Sequence, residues 1–166
     1  IGGLTEHLVS DAGLTDQDAL DALRAAKLCK ADLVTSAVIE FTSVQGVMGS
    51  YYALASGETP QVAQAIEQHY RPRFAGDDVP KTLVGKVVAL ADKLDTICGL
   101  FAVNQGPSGS SDPFALRRSA IGIVAILSGD NPLPISLISA IDASLDLYAK
   151  AGIQFDAAAV RSEVID

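Results

Sequence analysis

Two histidines, His7 and His69, are all that the 166 residues contain, so chemistry that needs a histidine cluster fails on count and only a lone general base remains. The carboxylates with the most suggestive spacing are Asp92 and Asp95 in ALADKLD. Three residues apart on a helix, they share one face, and Thr96 lies one turn beyond Asp92. Such a pair can hold a hard cation. Without further oxygen or imidazole ligands it is a thin metal site, and bonding to a neighbouring loop or lysine is the plainer role. Arg117 and Arg118 are consecutive on a helical pattern behind the Gly/Ser-rich stretch NQGPSGSSD. Their guanidinium forks suit a phosphate or a carboxylate, so the alternatives are RNA contact and an internal pair with Asp92, Asp95 or Asp112 that braces the loop. Tyr51 and Tyr52 read as core or boundary residues rather than a stacking platform. Cys29 and Cys98 lie far apart outside any CxxC, which fits reduced thiols rather than a zinc site or a disulfide framework. No P-loop, dinucleotide-binding glycine motif, nucleophile elbow or HExxH occurs.

The elements that carry these residues read as helices throughout, since no stretch alternates with period two between hairpin turns. Thr15 is a candidate N-cap for a helix over residues 15–41, with Leu20, Leu23, Ala26, Ala31, Val34 and Val38 as its core stripe. A second helix covers residues 44–56 and stops at Gly57, and Gly46 with Gly49 permits a close helix contact there. Thr59 and Pro60 form an N-cap and N1 pair, and Pro72 ends the helix they open, which puts His69 in its last turn, making one hydrogen bond. After the loop RFAGDDVPKT comes the most apolar helix, over residues 83–101, followed by the Gly/Ser loop. Asp112 and Pro113 are read as the next cap, with Arg117 and Arg118 in the second turn. A helix over residues 134–152 and a short one from Asp156 complete six or seven helices in an all-α chain.

The composition is 49% hydrophobic, 19% charged and 5% aromatic, which suits one domain with a real core, at a length typical of one. No apolar run approaches the roughly 18 residues of a membrane span. The net charge of -8 excludes a general nucleic-acid binder held by its overall field. Charge is distributed unevenly, however. From Arg71 to Arg118 there are seven basic residues, Arg71, Arg73, Lys81, Lys86, Lys93, Arg117 and Arg118, against five acidic ones. A polyanionic partner is therefore expected to meet this middle. The chain starts at Ile1 with no signal-peptide pattern, so it is expected to be a cytoplasmic piece of something longer.

The motifs KADL, QGVMG, EQHYRPRFAGD, ALADKLDT and DPFALRR, in this order over about residues 22 to 127, resemble the beta subunit of bacterial heterotetrameric glycyl-tRNA synthetase. The resemblance implies that residues 1–166 form a single helical domain from the middle of that subunit. It also implies similarity to the His-Asp (HD) phosphohydrolase superfamily, in which histidines and aspartates bind divalent metal. On that basis His69 and Asp92 look like vestiges of a metal site. The defining His-Asp doublet is missing, so no catalytic residue and no bound metal are expected in this chain. ATP and Mg are implied at the separate alpha subunit. The implied partners are tRNA(Gly), the alpha subunit and the remaining beta-subunit domains, with no membrane. The expected role is support of glycine-tRNA ligation as a scaffold and tRNA-contacting module, the contacts falling to Arg117, Arg118, Lys93, Arg71, Arg73, Lys81 and Lys86. The competing expectations are a purely structural packing domain and a surviving metal-dependent phosphohydrolase.

Overall fold

The computed structural model describes all residues, 1–166, as nine α-helices and two short 3-10 turns, without a named strand. The helices are α1 (Gly2–Asp11), α2 (Asp16–Leu28), α3 (Ser36–Glu40), α4 (Val47–Ala55), α5 (Pro60–Gln68), α6 (Leu83–Ala102), α7 (Leu116–Ser128), α8 (Leu137–Lys150) and α9 (Ala157–Ile165). The all-α expectation holds, with nine helices rather than six or seven. No helix is long and apolar enough to cross a membrane.

The architecture is built around α6. Its apolar residues point to all sides, and Val84, Val87, Val88, Leu90, Ala91, Leu94 and Ile97 are all buried, as expected of a helix with no solvated face. Around it pack α1, α2, α5, α7, α8 and α9. The caps read from the sequence work as drawn at several ends. Thr15, Thr59 and Asp156 accept hydrogen bonds from backbone N–H groups in the first turns of α2, α5 and α9. Gly57 ends α4 at φ +87 with the N–H of Glu58 on the carbonyl of Ala53 at 3.0 Å.

The helix expected over residues 15–41 is instead α2, a 3-10 turn over Ala31–Val34, and α3. The physical reason is Asp32. The turn brings its side chain inward, where Oδ2 accepts from the N–H of Gly46 at 2.6 Å and of Gly49 at 3.1 Å, satisfying donors at the buried start of α4. The expected stripe breaks with the helix. Ala26 and Val38 are buried, Leu23 is half-buried, while Leu20 and Ala31 are exposed and Val34 is 82% exposed. The buried face of α2 is Asp21, Ala22, Ala25 and Ala26.

A second difference lies at α7, which begins at Leu116 rather than at Pro113. Ala115 adopts a left-handed conformation, φ +56, between the two. Asp112 still serves the helix start from a distance, with Oδ1 accepting from Leu116 N–H at 2.8 Å and Oδ2 from Arg117 N–H at 3.0 Å. Arg117 and Arg118 consequently stand in the first turn, not the second. The preceding Gly/Ser loop is closed by reciprocal backbone bonds between Ser108 and Ser111.

Candidate functional site

A polar cleft of about 390 Å³ opens where the turn at Thr42–Val44, the segment after α5, the middle of α6 and the first turn of α7 meet. Each wall follows from a local sequence feature. Pro72 stops the chain from continuing α5 and directs Tyr70 to Arg73 across the mouth, with the Arg71–Pro72 peptide cis. The Ala115 conformation turns the first residues of α7 toward the cleft. Small residues let these walls close up: Gly122 faces the Lys93 side chain and Pro72, and Gly46 faces the ring of Tyr70.

Of the seven basic residues singled out in the sequence, Arg71, Arg73, Lys93 and Arg118 line this cleft. Arg118 is exposed and engages no carboxylate. Arg117, next to it, is exposed and donates to the carbonyl of Gly109 at 2.7 Å. The internal carboxylate partner considered for this pair is therefore absent, and only the backbone N–H of Arg117 meets Asp112. Arg71 lies 3.7 Å from both Glu67 and Asp78. Arg73 forms a fork on Asp77, at 2.8 and 3.1 Å, and these hydrogen bonds hold the Asp77 carboxyl well below the usual range.

The lysines behave differently. Lys93 is buried, its ammonium 3.3 Å from the carbonyls of His69 and Tyr70, and burial pushes its pKa down to about 8. Lys86 is also buried and donates to the carbonyls of Asp130 and Asn131. Its charge joins α6 to the loop after α7 instead of reaching the surface. Lys81 is exposed outside the cleft.

His69 caps the C-terminus of α5 and is fully buried. Its Nδ1–H donates to the carbonyl of Ile66 at 2.6 Å, the single hydrogen bond that its sequence position implied, while Nε2 has no partner. Burial, reinforced by the nearby Lys30 cation, pushes its pKa down to about 4, so the ring is neutral near pH 7. Asp92 is bonded to the Lys30 ammonium at 3.0 Å, the lysine role foreseen for that carboxylate. Asp95 accepts from the Tyr148 hydroxyl at 3.1 Å. Nowhere do three His, Cys, Asp or Glu side chains gather as a metal would require. With Asp92 taken up by Lys30 and His69 enclosed, the residues present do not fit a divalent ion. Cys29 and Cys98 are free and buried, and burial pushes both thiols up to about 11, so neither is a ready nucleophile. Of the tyrosines expected at the core or its boundary, Tyr52 stands at the boundary, 39% exposed, and Tyr51 is 64% exposed.

Lys30 and Asp32 are the residues the sequence left without a role. Their only signal was the unusual motif KADL, because their partners, Asp92 and the start of α4, are remote in the chain.

The family described as glycyl-tRNA synthetase beta subunit matches residues 2–166. The glycine-tRNA ligase beta subunit of Shewanella sp. (strain ANA-3) is 50% identical over 134 residues, covering 81% of this chain and 19% of the relative. That of Colwellia psychrerythraea is 48% identical over 133 residues, covering 80% and 19%. The chain thus spans about a fifth of the length of these relatives. With the family matched over residues 2–166 and a relative 50% identical over 81% of the chain, descent is settled: the chain belongs to the glycyl-tRNA synthetase beta subunit family.

Proposed function

We propose that this chain is a tRNA-facing helical module of a glycine-tRNA ligase beta subunit, holding tRNA(Gly) through the cations beside the cleft and forming no bond itself. The observation that carries this reading is the Arg117–Arg118 pair, exposed at the start of α7 with no carboxylate on either guanidinium. An exposed arginine pair without a salt-bridge partner, in a chain of net charge -8, is a local exception to the overall field. The N–H groups of Leu116 and Arg117 at this helix start are taken by Asp112, so the attraction for an anion falls to the two guanidinium groups. Guanidinium contacts to phosphate fix the register and orientation of an RNA without reading its bases. Activation of glycine with ATP and Mg would then occur on the alpha subunit, in a cytoplasmic assembly, and this module would act at the transfer step by positioning the tRNA.

The test is steady-state aminoacylation by the assembled synthetase carrying Arg117→Ala and Arg118→Ala together. The expected result is a raised KM for tRNA, with glycine-dependent ATP–pyrophosphate exchange unchanged. Unaltered tRNA kinetics in a correctly folded variant would remove the reading.

A second role is supported by a separate observation. Leu33, Val34, Ile39, Tyr51 and Leu54 are all exposed in and around α3 and α4, an apolar surface of the kind that contacts other protein. This favours packing against the remaining beta-subunit domains on that side, alongside the RNA-facing role of the cleft.

A further inference from the structure

A second pocket, of about 510 Å³, opens between α2, the Ala31–Val34 turn and α4, the same elements that expose Leu33, Val34, Tyr51 and Leu54. Its exposed lining residues, Ala31, Tyr52, Ala55 and Ser56, form the rim. The buried ones, Asp32, Gly49, Ala53 and Ile66, form the floor. Three of these meet there: the Cβ that Gly49 lacks would fall 2.8 Å from Ile66 Cγ2 and 3.1 Å from the Asp32 carboxyl carbon. Asp32 is only 2% exposed. Its Oδ2 is taken by the N–H groups of Gly46 and Gly49, whereas Oδ1 is buried with no hydrogen-bond partner. Folded proteins rarely leave a buried carboxylate oxygen bare. We propose that this pocket receives a lysine side chain from the part of the beta subunit outside these residues, its ammonium seated on Asp32 Oδ1. The proposal rests on the packing role stated above for the surface of α3 and α4, and specifies the contact that anchors it.

Neither neighbouring cation of the chain serves Asp32. Arg24, the one basic residue in the lining, forks on Glu58 at 3.0 and 3.1 Å, and Lys30 is held by Asp92 at 3.0 Å. The missing donor therefore comes from elsewhere, and about four-fifths of the length of the matched relatives lies outside this chain. The chemistry of the pocket selects lysine. With a single carboxylate oxygen open, a compact ammonium fits, whereas the planar fork of arginine is matched to two. Leu28, Ala53 and Ile66 offer apolar walls for a four-carbon stem. Thr35 and Ser56 add hydroxyl oxygens for the remaining ammonium protons, and a buried ion pair holds only where such extra hydrogen bonds are made. The wider field favours the same visitor: residues 1–70 hold nine acidic residues against three basic ones, which draws a basic partner surface.

The experiment uses the assembled synthetase. Ala55→Cys places a thiol at the pocket rim, and Ser110→Cys places a control thiol on the exposed Gly/Ser loop. Maleimide labelling of each, read by mass spectrometry, is expected to be about tenfold or more slower at position 55, where the thiol is covered until the contact opens. Benzoylphenylalanine in place of Tyr52 then identifies the occupant by photo-cross-linking. The expected product is a lysine-containing peptide of the beta subunit outside residues 1–166. Changing that lysine to methionine, which keeps an apolar stem and removes the charge, is expected to speed labelling at position 55 about fivefold or more. Asp32→Asn is expected to do the same, and the two changes together no more than either alone. The lysine change carries the test by itself if Asp32→Asn does not fold. Labelling at the control rate, or cross-links that never reach the rest of the beta subunit, overturns the lysine seat and the packing role together. A cross-linked beta-subunit peptide without lysine, or protection that survives the change to methionine, overturns the lysine seat while the packing role stands.

Discussion

Lys30 and Asp92, 62 residues apart in the sequence, meet at 3.0 Å, and the same ammonium stands 4.1 Å above the centre of the Tyr70 ring. This one contact ties the end of α2 to the middle of α6 and fixes a wall of the cleft. Removing the cation strands a carboxylate whose side chain is only 14% exposed. Lys30 itself is 35% exposed, so solvent screening lowers the cost. Lys30→Met is expected to destabilise the chain by about 1–2 kcal/mol. Adding Asp92→Asn should recover part of that loss. Urea denaturation of the two variants decides it, and a double variant less stable than the single one would contradict the pairing.

Gly49 sits where α4 crosses α5. A Cβ there would fall 2.8 Å from Ile66 Cγ2 and 3.0 Å from Asp32 Oδ2, so Gly49→Ala must displace either the core or the carboxylate that caps α4. The expected loss is about 1–3 kcal/mol, that of an overpacked site. Tyr51→Ala, on the exposed face of the same helix, should stay within about 0.5 kcal/mol of wild type. Thermal unfolding of both variants separates crowding at the helix crossing from a general sensitivity of α4.

Asp112 holds the first turn of α7 through two backbone N–H groups. Asp112→Ala is expected to cost about 1 kcal/mol, as loss of a helix cap does. Because that turn carries Arg117 and Arg118, the KM for tRNA of the assembled enzyme should rise as well. Asp112→Asn, which keeps an acceptor oxygen, should be milder in both respects. Equal effects of Ala and Asn on stability would count against the cap.

His69 makes stability depend on pH. In the unfolded chain its imidazole takes up a proton near the ordinary value of 6.5, and in the fold only near 4. Between these values the unfolded chain holds more protons, so acidification drains stability. From pH 7.5 to 5 this group alone should cost about 2 kcal/mol, at about 1.4 kcal/mol per unit of pKa difference. Denaturant midpoints measured across that window should fall in the wild type and fall less in His69→Gln. Parallel slopes would show that the buried imidazole does not control the response.

Much of the local structure was written in short sequence signals. Thr15, Thr59 and Asp156 stand at real helix starts and Gly57 at a real helix end, because capping is a contact between residues two to six apart and needs nothing from the rest of the chain. The same holds for α6, whose apolar residues on every side already specify a buried helix. The helix expected over residues 15–41 failed for the opposite reason. Its pattern is locally helical, but the chain turns at Ala31–Val34 to deliver Asp32 to the start of α4, and a reward from residues more than a dozen positions away leaves no mark on local periodicity.

The cleft divides in the same way. The sequence by itself determined the family's motifs, the all-helical pattern and a basic middle, because composition and spacing are properties of the chain. Which of those cations face outward is a property of packing alone. Lys86 and Lys93 turn inward onto carbonyl oxygens, since burying an ammonium is tolerable only where acceptors replace its water. Arg118 stays free because the carboxylates that might have claimed it are bound elsewhere, Asp92 by Lys30, Asp95 by Tyr148 and Asp112 by the backbone of α7. The Asp112 bond is local, but the other two pairings join residues 62 and 53 apart in sequence, and only the tertiary structure decides them.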